Sequence, residues 1–135
     1  MNNITDSTKT QLAAACILLS VADADEILED QELDTINVIL QDFFTIDEKA
    51  ASSLMERAKS EWEKSTGLFQ FANQLNDDFN HIDKMDFIIC VFEVAYADGK
   101  LHYLEHHTVK KIANILNLSR KEIITAKTEI ENFLD

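Results

Sequence analysis

Val94-Ala95-Tyr96-Ala97-Asp98-Gly99-Lys100-Leu101-His102-Tyr103-Leu104-Glu105 has an altered copy 73 residues earlier: Val21-Ala22-Asp23-Ala24-Asp25-Glu26-Ile27-Leu28-Glu29-Asp30-Gln31-Glu32. At that shift seven identities fall between residues 21–44 and 94–117. They are Val21/Val94, Ala22/Ala95, Ala24/Ala97, Asp25/Asp98, Leu28/Leu101, Glu32/Glu105 and Ile39/Ile112. Self-similarity at a fixed spacing marks one supersecondary unit used more than once. The shared string, A-D-x₂-L-x₃-E, links an apolar run to a shorter amphipathic one. One extra residue then aligns Thr45/Glu48 with Ser119/Glu122, two capping-box patterns that open a further helix each. The pattern predicts an all-α, pseudo-twofold bundle of about seven helices. It forms a single domain, 1–135, with repeats at about 12–58 and 85–131 and a connector at about 59–80.

Apolar residues recur at helical spacing on both sides of the repeated turns. Helices are expected at about 6–24, 30–43, 45–63, 68–79, 82–97 and 102–117, with a seventh after Ser119. Leu12, Ala15, Cys16, Leu19 and Ala22 form the expected buried stripe of the first. The fifth is apolar on several sides (Phe87, Ile88, Val91, Phe92, Ala95), which places it at the centre of the core. Asn80 ends one helix or caps the next. The chain has no Pro and two Gly, so little in it interrupts a helix. Cys16 and Cys90 lie in apolar runs without metal-ligand spacing, so they read as buried free thiols of a reducing compartment. An intracellular location is expected. Leu12–Ala22 is shorter than the roughly 20 residues a bilayer demands.

The charge is uneven. Residues 1–99 hold 20 acidic residues against 6 Lys or Arg, whereas 100–135 hold 5 against 6. A net charge of −13 repels phosphate backbones, which disfavours nucleic acid and favours cations or a basic protein surface.

The second turn resembles the last two-thirds of an EF-hand loop, with Asp98, Gly99, Leu101 and Glu105 at positions 5, 6, 8 and 12. Oxygen ligands are missing at positions 1 and 3, where Val94 and Tyr96 stand. The first turn has Asp23 and Asp25, but Glu26 replaces the Gly. Each turn is thus an incomplete calcium loop. Asp25, Glu29, Glu32, Asp98 and Glu105 are the candidate ligands for a weakly bound divalent cation. In the alternative reading Asp25 and Asp98 bond the turn, and Glu32 and Glu105 cap the next helix. Residues 23–34 hold seven acidic side chains and no Lys or Arg, an excess that capping leaves unexplained.

His102-Tyr103-Leu104-Glu105-His106 also fits H-x-x-E-H, a zinc-protease pattern. A catalytic zinc needs a third ligand and a cleft. Glu105 already belongs to the repeat, and residues 29–33 of the other copy hold no His. Without a nucleophile elbow or a phosphate-binding loop, no catalytic residue is assigned and the expectation is a non-enzyme. A metal-dependent hydrolase at His102 and His106, or a purely structural helical domain, are the alternatives.

The doubled A-D-G-x-L-x₃-E turn, each copy between an apolar helix and an amphipathic one, resembles the TerB-like (tellurite-resistance) family over about residues 10–130. Val94 through Glu105 carries the closer match; Glu26 departs where the pattern usually has Gly. The resemblance implies an all-α fold and a cytoplasmic, acidic binding module for divalent cations or protein partners. It implies a link to tellurite or general stress resistance, peripheral to membrane partners, and no defined catalysis.

Overall fold

The computed structural model describes residues 8–24, 29–97 and 103–134. They form seven helices: α1 (Thr8–Ala22), α2 (Asp30–Phe44), α3 (Glu48–Lys64), α4 (Phe69–Asp78), α5 (His81–Ala95), α6 (Tyr103–Ile115) and α7 (Arg120–Leu134). No strand occurs among the described residues, and none of the helices is long and apolar enough to cross a membrane. The all-α expectation is met, with boundaries within about three residues of the periodicity.

Two helices form the middle of the bundle. α5 buries Phe87, Ile88, Val91, Phe92, Val94 and Ala95, as its all-round apolar character predicts. α1 is buried more completely: every residue from Ala13 to Ala22 is inside, and it packs against α2, α3, α4, α5 and α6. The expected single stripe on α1 is therefore too narrow. No charged side chain stands between Lys9 and Asp23, so no face of α1 needs water. Ser20 is accommodated inside because its hydroxyl donates to the Ile17 carbonyl at 2.6 Å.

The two halves correspond at some helix ends and not at others. α1 and α5 end at Ala22 and Ala95, 73 residues apart, whereas α2 and α6 end at Phe44 and Ile115, 71 apart. After α1, Asp23 N–H donates to Leu19 and Ala24 N–H to Val21; after α5, Tyr96 donates to Phe92 and Ala97 to Val94. The spacing then changes in the direction opposite to that expected. Thr45 and Asn117, 72 residues apart, both adopt left-handed backbone with φ of 55° and 62°. Ile46 N–H and Leu118 N–H each reach back five residues, to Gln41 and Ala113. These are left-handed C-terminal caps.

The Thr45–Glu48 capping box is thereby overturned. Thr45 closes α2, and Asp47 opens α3 by accepting from Ala50 N–H at 2.8 Å. Asp is as good an N-cap as Thr, and it lies next to the first helical residue. The other caps fall where the sequence puts them. Asn80 accepts from Asp83 N–H. Ser119 and Glu122 exchange both bonds of a capping box, at 2.8 and 3.1 Å. Thr45→Gly is expected to stabilise the protein by about 1 kcal/mol, because a β-branched residue is strained at positive φ. An N-cap at Thr45 predicts a loss instead, and urea unfolding of this variant reads the sign.

Candidate functional site

Three of the five candidate ligands, Glu29, Glu32 and Glu105, are described; Asp25 and Asp98 lie outside the described residues, as do Glu26, Gly99 and His102. Glu32 and Glu105 lie in the first described turn of α2 and α6, and both are buried although they are charged residues. Glu32 Oε1 accepts from the Glu29 N–H at 3.2 Å, closing a cap at the start of α2. The structural use of this residue is therefore visible directly.

The third position of each turn is also occupied. Asp23 Oδ2 accepts from the Trp62 indole N–H at 3.1 Å, tying the turn to α3. Its counterpart Tyr96 donates its hydroxyl to Glu131 Oε2 at 2.8 Å, tying the second turn to α7. The same tie is made twice, with donor and acceptor exchanged. It explains why Tyr96 stands where a calcium loop has an oxygen ligand. Burial first, and then this bond and charge at Glu131, push the Tyr96 hydroxyl up to about 12.

Among the described residues no three His, Cys, Asp or Glu side chains converge in a way that could hold a metal. His106, half-exposed on α6, is held below its ordinary pKa by partial burial and then by the charges of Lys127 and Lys110. Two lysines are poor neighbours for a metal dication. The described part of the H-x-x-E-H segment therefore offers nothing that favours zinc chemistry.

A feature that sequence reading missed lies between α2 and α5. A groove of about 370 Å³ is lined by Val38, Ile39, Asp42, Phe43 and Phe44 of α2 and by Asp83, Asp86, Cys90 and Glu93 of α5. The α5 residues recur at three- and four-residue steps, so they share one helical face. On the α2 side, Phe43 meets Phe44, Phe79 and Phe87 at ring separations of 5.0 to 5.6 Å, which makes that wall part of a packed aromatic cluster. Four carboxylates line the groove, and no Lys, Arg or His does. Glu93 is accordingly raised above its usual range, by burial first and by the charge of Asp42 second.

Neither cysteine is in a disulfide; Cys16 is buried and Cys90 half-buried. Burial pushes both thiols up to about 12, and neighbouring carboxylates add to it: Glu61 at Cys16, and Glu93, Asp86 and Asp42 at Cys90. Cys16 also donates weakly to the Ala58 carbonyl, 3.6 Å away. Both folded values lie above the ordinary 9.0. The stability these protonated thiols contribute is then complete below about pH 9 and is lost as pH rises toward 12. Unfolding free energy is expected to fall over that window, and Cys16→Ala to flatten the fall. An unchanged slope in the variant would contradict the assignment.

The geometry thus defines an acidic, all-α domain with a charged groove and two buried, turn-associated glutamates. The sequence profile of the family described as "Tellurite resistance protein TerB" matches residues 11–128, so the chain belongs to the TerB family. Neither the curated proteins nor the solved structures compared with it gave a match.

Proposed function

We propose that this chain is a non-catalytic binding module that engages a positively charged partner protein through its acidic surface. The supporting observation is the α2–α5 groove, whose four carboxylates have no basic residue among the lining side chains. Like charges gathered without a counter-charge raise the energy of the free state, and a cationic partner relieves them. Family membership suggests a setting in tellurite or general stress resistance, in the cytoplasm and peripheral to a membrane complex. Selection of binders from a random displayed-peptide library tests the reading. Recovered sequences are expected to be rich in Lys and Arg; a consensus without them contradicts it.

A second reading is favoured by the burial of Glu32 and Glu105 at equivalent places. Asp25, Glu29, Glu32, Asp98 and Glu105 would then hold a divalent cation. A set of carboxylate oxygens suits a hard ion such as calcium or magnesium, and not zinc. Calorimetric and melting titrations with calcium, magnesium and manganese are expected to show weak binding and a small rise in melting temperature. Glu32→Ala separates the two roles. As a cap, Glu32 is worth about 0.5–2 kcal/mol to the ion-free protein. As a ligand held among like charges, its removal raises ion-free stability and abolishes the cation response. A loss of stability with no cation response leaves the turns as caps.

A further inference from the structure

We propose that the groove between α2 and α5 is the docking site for an amphipathic helix of a partner protein, one that carries Lys or Arg beside an apolar stripe. This rests on the proposed basic-partner function and adds the place and the shape of the occupant. The groove is not merely acidic. On its α2 wall Ile39 and Phe44 are buried and form the base, Phe43 is half-buried, and Val38 is 53% exposed although it is aliphatic. Asp42 interrupts that wall, and Asp83, Asp86 and Glu93 run along the other. From Asp83 to Glu93 the α5 face extends about 15 Å, close to three helical turns.

A bare metal ion does not match this arrangement. The carboxylates are spread along two helices, and among the described residues no three ligand-type side chains converge to hold a metal. An ion also makes no use of the apolar surface that exposed Val38 and half-buried Phe43 present. A helix laid in the groove covers Val38 and Phe43 with its apolar stripe and reaches the carboxylates with flanking cations. Hydrophobic centre and charged rim are the usual anatomy of such an interface. A second copy of this chain fits less well, because it brings another −13 of charge to an acidic face.

The probe is a synthetic helical peptide with a Leu stripe flanked by Lys, compared with a peptide of equal charge in which Ser replaces Leu. Binding is followed by fluorescence anisotropy. The Leu/Lys peptide is expected to bind more tightly than the Ser/Lys peptide, by about tenfold or more. The combined variant Asp42→Asn, Asp86→Asn, Glu93→Gln is expected to lose at least about tenfold for the Leu/Lys peptide. Glu56→Gln, Glu61→Gln, Asp77→Asn removes the same charge from exposed positions elsewhere, and its loss is expected to stay within about threefold. Val38→Lys, at an exposed site where folding is not at risk, is expected to weaken the same peptide.

Equal losses in the groove and remote variants, or an unaffected Val38→Lys, overturn the groove while leaving a basic-partner function in place. Equal binding of the two peptides overturns the amphipathic occupant. Self-association of the wild-type chain that the groove variant abolishes makes the occupant a second copy and likewise overturns the proposal. No binding of either peptide removes the basic-partner reading itself.

Discussion

Phe92→Ala is expected to lower the unfolding free energy by about 3–5 kcal/mol, the cost of losing a buried ring and leaving a cavity. Phe92 is fully buried on α5, which packs against α1, α2, α6 and α7. A hole there is bordered by several helices, and no single one can move in to fill it. Domains of this size are typically stable by about 5–15 kcal/mol, so the variant should lie near the edge of folding. Urea denaturation measures it, and an unchanged slope with a lower midpoint shows that the loss is native-state stability. A loss below about 1 kcal/mol would place Phe92 outside the core.

Leu18→Ala on α1 is expected to cost about 2–5 kcal/mol for the same reason. The comparison is informative because the periodicity puts α5 at the centre and predicts one buried stripe on α1. Leu18 does not belong to the stripe the sequence predicts, yet it is fully buried and its helix is surrounded by five others. If only one face of α1 were inside, Leu18 would behave as a surface residue and its removal would cost within about 0.5 kcal/mol. Near-equal losses at Leu18 and Phe92 establish both helices as the middle of the bundle.

What could be read from the sequence was what depends on neighbours in the chain. Helical spacing located all seven helices, and local capping chemistry located Asn80 and the Ser119–Glu122 box. The pattern misleads at Thr45 because Thr-x-x-Glu also accommodates a left-handed residue two positions before the true cap, Asp47. Backbone sign at a single residue leaves little trace in sequence when the residue is not Gly. The role of Glu32 was legible as one of two alternatives, and the 3.2 Å bond from Glu29 shows the capping half of it.

The groove was not legible for a different reason. Asp83, Asp86, Cys90 and Glu93 can be seen as one helical stripe in the sequence. The apolar wall comes from Val38 to Phe44, some forty to fifty residues away, and only the packing of α2 on α5 brings the two together. Cys90 taken alone read as an apolar filler. Its surroundings, with Glu93, Asp86 and Asp42 all acting on the thiol, make it part of an acidic wall.

The function proposed for this TerB-family chain is the binding of a cationic partner at one acidic face. An NMR titration of the isotopically labelled protein with the Leu/Lys peptide tests it most directly. Amide shifts are predicted to gather at Val38, Asp42, Asp83, Asp86, Cys90 and Glu93, with α3 and α7 little changed. Shifts spread evenly over every acidic surface, or the absence of any shift, would contradict it.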